Sequence, residues 1–229
     1  FGFAFNLLLV LRFGIRIAPF IFFFELTKFY VFGDRFLAEN LVIYPLVYNF
    51  NLIWEKFNNR KIFAFDFLLA AIFTWFVIFT REPFILLSLF LFGLFLYNRA
   101  KIKIKLVSAL IFLVLSFLTL SKVPILDYYF NVFTINFETF GGELNSIRLF
   151  ESFFYPIYLF VSSEKNIFRF LLLSLSSLFI FLTLNSLLKK KFKLIILVFL
   201  VLFLANIRSV LPGRIFYDAF HMVPWFGLF

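Results

Sequence analysis

Long apolar runs separated by short polar connectors set the pattern of this chain. Runs at 36–54, 62–80, 84–96, 106–120 and 194–206 are each bounded by charged or turn-forming residues. Their lengths approach the roughly 20 residues with which a helix crosses about 30 Å of hydrocarbon, and they lack the short alternation of barrel strands. The pattern predicts an all-α fold, a polytopic transmembrane helical bundle, with 1–229 as a single integral membrane domain. Residues 1–35 are apolar but hold Arg12, Arg16, Glu25 and Lys28 around Pro19, which predicts an interfacial or tilted helix with a kink at the proline. Pro45 is expected to kink or cap the first full span, and Asp66, near the start of the next, reads as either a buried proton-active carboxylate or an interfacial cap, the cap being favoured.

The second half is less regular. Pro124, Asn131, Asn136 and the Gly141-Gly142 pair break up 121–148, predicting a polar membrane-edge loop with short helical pieces. The apolar stretch 149–188 is interrupted at Pro156 and at Ser162-Ser163-Glu164-Lys165-Asn166, so it allows two crossings, or a half-helix feeding one crossing. A second polar loop occupies 207–224. With one crossing in 149–188, the two polar loops share a side of the membrane, and the lysine clusters at 60–61, 101–105 and 189–193 fall on the other. That arrangement opposes the positive-inside tendency if the acidic side is matrix or cytoplasm.

Composition strengthens the membrane reading. The chain is 64% hydrophobic with 44 Phe in 229 residues, more apolar surface than a water-facing domain tolerates. So much Phe, with no Cys, points to a biased coding system such as an organelle or an AT-rich genome. The net charge of +10 sits mostly in connectors, where it suits lipid headgroups and topology anchoring and gives no surface for reading nucleic acid. No cleavable signal is recognisable and the first residue is Phe, so a trimmed chain or a piece of a longer product is expected.

Carboxylates within greasy sequence are the candidates for chemistry, because each charge in lipid needs a protein or water partner. Glu143 and Glu151 lie eight apart, a little over two helical turns, with Arg148 placed to partner Glu151. Glu164 follows beyond Pro156. Three acids at this depth form either a proton relay or an inert ion-pair network. A second constellation, Arg208, Arg214, Asp218 and His221, surrounds the Pro212-Gly213 turn, where an Arg–Asp pair can fix a loop at the membrane edge. Glu25 and Lys28, three apart, can neutralise each other. Tryptophans and tyrosines read as interface and packing residues. No Walker loop, dinucleotide-binding glycines, CxxC, Ser/His/Asp set or haem-bearing His pair occurs, and no metal site is predicted.

At these motifs the chain resembles membrane subunit 1 of respiratory complex I, the NADH:ubiquinone oxidoreductase. That family's ESELVSGFxxEY and FFxAEY segments are similar to GELNSIRLFE and VSSE here, with Glu143, Glu151 and Glu164 at relative offsets of eight and twenty-one. Its IRxxxPRxRYDQLM loop resembles IRSVLPGRIFYDAFHM, with one extra residue after Pro212. SKVPILD resembles ETNRxPFD through Lys122, Pro124 and Asp127, and FELTK resembles ADxxK through Glu25 and Lys28. The family's EGE acids, its TERK and GPN elements and its last helix have no counterpart.

The resemblance implies a quinone-chamber and proton-relay subunit in the mitochondrial inner membrane, or alternatively a bacterial inner membrane. Ubiquinone would be substrate, and an iron–sulfur cluster would sit in a neighbouring subunit, with no cofactor held by this chain alone. Glu143, Glu151 and Glu164 would form the proton relay, and Glu25, Lys28, Arg208, Arg214 and Asp218 would organise the chamber and its loop. Its partners would be membrane-arm subunits, the peripheral subunits at the quinone site and membrane lipids, with a separate polypeptide expected to supply the terminal helix. Two other readings are carried: subunit a of a rotary ATP synthase, because SIRLF at 146–150 is similar to its arginine helix, and a non-catalytic structural subunit of a respiratory complex.

Overall fold

The computed structural model describes residues 2–22, 24–25, 38–81, 84–98, 100–130, 134, 185 and 192–205. Among them every regular element is helical and no strand occurs: α1 (Gly2–Phe13), a 3₁₀ turn (Gly14–Ile17), α2 (Ala38–Phe57), α3 (Ala64–Thr80), α4 (Ile85–Leu96), α5 (Ile102–Leu120), α6 (Ile125–Tyr129) and α7 (Phe192–Ala205). The apolar runs read from the sequence therefore appear as helices within a few residues of their expected bounds. Residues 149–188, apart from 185, and 207–224 lie outside the described residues. Contacts divide the chain into two compact units, the first holding α1, the start of α2 and α7, the second running from Pro45 through α6.

In the first unit, helix runs from Gly2 to Phe22 with a break at Gly14–Ile17. The break belongs to Gly14, whose φ of +72° is a left-handed conformation that side-chain-bearing residues resist. Pro19 falls just after it, in the first turn of the resumed helix, where a missing N–H costs little. The helix is broken where a kink was predicted, but at Gly14 and not at the proline. Leu9, Phe13 and Ile17, four residues apart, face inward, while Phe3, Leu7, Leu11 and Ile15 face out.

The second unit is a serpentine of helices. α2 ends in a Schellman motif: Arg60 N–H bonds the Glu55 carbonyl at 2.9 Å and Asn59 N–H bonds the Lys56 carbonyl at 3.1 Å, with Asn59 at φ 54°. α3 then runs back, packing on α4 and most extensively on α5. Phe67 meets Phe95 at 4.7 Å between ring centroids and Ser88 bonds the Thr74 carbonyl, so α3 and α4 are antiparallel. Ser108 Oγ donates to the Phe67 carbonyl at 2.6 Å and Trp75 Nε1 donates to Thr119 Oγ1 at 2.9 Å, which makes α3 and α5 parallel.

That order puts the connector at 58–63 and the one at 97–101 at one end of the unit. The end at 121–130 lies opposite, tied to α3 where Tyr128 O–H donates to the Ile78 carbonyl at 3.4 Å. The basic residues at 60–61 and 101–105 thus share one end, away from 121–130, as their sequence spacing predicts. On α5 Ser108 is buried, whereas Leu106, Leu110, Leu113 and Phe117 are exposed, a continuous apolar stripe suited to a non-aqueous surrounding. Two helices, Gly2–Phe22 and Ile102–Leu120, are long and apolar enough to cross a membrane by length and composition, and Ala64–Thr80 and Ile85–Leu96 are shorter apolar helices.

The packing of α3 against α5 turns on a small side chain at the contact. Ser108→Ala should cost about 0.6 kcal/mol, the mean for a hydrogen bond between membrane helices. Ser108→Leu should cost about 1–3 kcal/mol by overpacking the same place. Denaturation of the purified chain in mixed micelles reads both. Topology can be read independently, because the chain has no native Cys. Tyr97→Cys and Leu126→Cys, both exposed and at opposite ends of the second unit, should react with a membrane-impermeant maleimide from opposite sides.

Candidate functional site

Each unit holds a carboxylate that is hydrogen-bonded by a buried tyrosine. In the first, Glu25 Oε1 accepts from Tyr44 O–H at 2.5 Å and from Asn6 Nδ2 at 2.8 Å. Tyr44 reaches it because α2 begins against the N-terminal helix, where aromatic rings box the phenol in. Phe5 stacks on Tyr44 at 5.5 Å, and Phe20 and Phe24 meet it edge-on at 6.4 and 5.3 Å. Tyr44 is buried along its whole ring, so its hydroxyl is held on the carboxylate by packing as well as by the bond.

In the second unit Asp66 is wholly buried at the first turn of α3. One oxygen, Oδ2, accepts from the Phe63 backbone N–H at 2.7 Å, which caps the helix. The other, Oδ1, accepts from Tyr48 O–H at 2.8 Å across to α2. Asp66 is therefore the cap that its position suggested, and also an interior group that joins two helices. Tyr48 packs edge-on against Phe73 at 5.0 Å, and one position along α2 Asn49 Nδ2 donates to Thr74 Oγ1 at 3.2 Å.

The cationic end of this unit is built on helix chemistry. Lys56 Nζ, beyond the apolar run that ends at Trp54, donates to the Leu94 carbonyl at 2.8 Å and to that of Tyr97. Lys105 Nζ donates to the Asn98 carbonyl. Two ammonium groups thus answer the carbonyls left open at the C-terminus of α4, where the helix dipole favours positive charge. Burial of its ammonium, then the neighbouring Lys105 charge, pushes the Lys56 pKa down.

Of the site residues expected from the sequence, Glu25 is placed, and its carboxylate is engaged by Asn6 and Tyr44. Lys28, Glu143, Glu151, Glu164, Arg208, Arg214 and Asp218 lie outside the described residues. Pro124 and Asp127 lie at the start of α6, with Lys122 just before, on a segment whose apolar residues Val123, Ile125 and Leu126 are exposed. Among the described residues no group of three or more His, Cys, Asp or Glu side chains could hold a metal ion. Tyr44, Tyr48 and Asn6 are partners that the sequence reading passed over. The tyrosines stand four apart as polar-tipped aromatics in an apolar helix, but nothing in the sequence says which acid each one, or Asn6, would meet.

Compared with protein-family models, with curated proteins and with solved structures, the chain matches none.

The two tyrosines test how far each carboxylate depends on its hydroxyl. Tyr48→Phe should destabilise the chain by about 1–3 kcal/mol, as expected when a buried polar group loses its hydrogen-bond partner. Tyr44→Phe should cost less, because Glu25 is half-buried and water can replace the donor there. Equal losses in denaturant melts of the two variants would contradict this ordering.

Proposed function

We propose that this chain is a membrane subunit of a complex I type NADH:ubiquinone oxidoreductase, contributing to the quinone chamber and to the proton relay coupled to quinone reduction. The observation that carries the reading is the spacing of Glu143, Glu151 and Glu164, eight and twenty-one residues apart, together with Arg208, Arg214 and Asp218 around the Pro212-Gly213 turn. The all-α architecture, two helices of crossing length and the outward apolar faces suit a multi-pass protein of an energy-transducing membrane.

In this role the chain's own residues bind and hold protons. Carboxylates within apolar surroundings change protonation in response to charge that appears nearby, since the charged form depends on its local partners. Glu143, Glu151 and Glu164 are the groups assigned that response. Glu25, held by Tyr44 and Asn6, is assigned to the wall of the chamber, and Lys28, Arg208, Arg214 and Asp218 to its polar loop. Ubiquinone is the substrate, electrons reach it from an iron–sulfur cluster in a neighbouring subunit, and the membrane is the mitochondrial inner membrane or its bacterial counterpart.

The test is isolation of the tagged chain from its own membranes in mild detergent, followed by a native gel stained for activity. Co-migration with NADH oxidation supports the reading. Co-migration with ATP hydrolysis selects an ATP synthase subunit instead, and migration with neither selects a structural subunit. Within an active complex, Glu143→Gln, Glu151→Gln or Glu164→Gln should lower NADH:ubiquinone turnover by about 10²-fold, the lower end of what a positioned proton-transfer group contributes. NADH oxidation by a soluble acceptor that bypasses quinone should be kept.

A further inference from the structure

A layer of uncharged polar groups crosses α2, α3 and α4 in the second unit at Asn49, Thr74 and Ser88. Asn49 is 1% exposed and the two hydroxyl residues 0%. Asn49 Nδ2 donates to Thr74 Oγ1 at 3.2 Å, and Ser88 Oγ donates to the Thr74 carbonyl at 3.5 Å, a long contact. Asn49 Oδ1 is buried with no hydrogen-bond partner. Turning the amide over does not remove the imbalance. With nitrogen and oxygen exchanged, the oxygen would accept from the Thr74 hydroxyl, and the amide NH₂ would become the unanswered end.

We propose that a water molecule occupies this layer, held by the open end of the Asn49 amide and by the Thr74 and Ser88 hydroxyls. Water suits the place because it donates and accepts, and so answers the amide in either orientation. It is also neutral, where an ion would carry a desolvation cost into a unit whose buried side chains include Phe73, Val77, Leu87 and Leu91. Three side chains from three helices supply the number of partners usual for a buried water. The Ser88 hydroxyl, weakly engaged at 3.5 Å, is free to turn toward it. Such a water joins three helices at one level. A one-turn slip of α3 along α2 would separate Thr74 from Asn49 and strand the amide at both ends, so the hydrated layer selects one register.

The inference is independent of the proposed role in quinone reduction. A crystal structure of the full chain in lipid, at a resolution that shows ordered water, should place a density peak within hydrogen-bonding distance of the Asn49 amide and of Thr74 Oγ1 or Ser88 Oγ. A protein donor in that position, or an empty space, overturns the proposal. In Asn49→Leu the peak should be lost, because the group that water serves is gone and the side chain fills its place. A peak that persists unchanged in Asn49→Leu also overturns it. The wild-type map carries the test if the variant fails to fold.

Discussion

A polar group taken inside apolar helices must be met by another, and this requirement governs the second unit. An unanswered amide or hydroxyl in such a place costs about 1–3 kcal/mol in proteins, and a charge costs more. The hydrogen bonds Tyr48 to Asp66, Asn49 to Thr74, Ser108 to Phe67 and Trp75 to Thr119 all run from one helix to another. Apolar burial does little to choose between neighbours when the surroundings are as greasy as the side chains. The choice of which helix lies beside which, and at what height, therefore falls to these few bonds and to small residues such as Ser108 that let two backbones approach.

The same requirement explains why both described acids of interest end on tyrosine. A phenol brings a large apolar ring, which packs, and one hydroxyl, which bonds. Tyr44 and Tyr48 are four apart on α2, and each is buried among aromatic rings of its own unit. Their hydroxyls are consequently positioned by packing before they meet a carboxylate. A longer donor such as lysine would reach the acid at the cost of more side-chain entropy. The position of each carboxylate is in this way tied to the packing of α2 within its own unit.

The cationic end follows from helix termini. α4 ends with open carbonyls, and Lys56 and Lys105 fill them from the two neighbouring helices. The lysines at 101–105 and the Arg60–Lys61 pair thus do two things at once. Some close the ends of helices, and the exposed ones, Arg60, Lys61, Lys101 and Lys103, gather positive charge at one end of the unit.

The sequence alone determined that the described part is helical, where the helices fall and which connectors share an end, because length, hydropathy and chain alternation are local properties. Asp66 at the start of α3 was legible as a cap for the same reason, since caps act within one turn. The break near the N-terminus was legible as a kink but was assigned to Pro19, and only the backbone revealed that Gly14, at positive φ, takes it up. The partners of Glu25 were not legible, because Asn6 and Tyr44 are each nineteen residues away and their meeting depends on how separate helices pack. The hydroxyls of Tyr48, Thr74 and Ser88 likewise looked like ordinary members of greasy runs. Tertiary structure decided their roles, because a hydrogen bond between helices is a property of relative height and rotation, which periodicity within each helix does not fix.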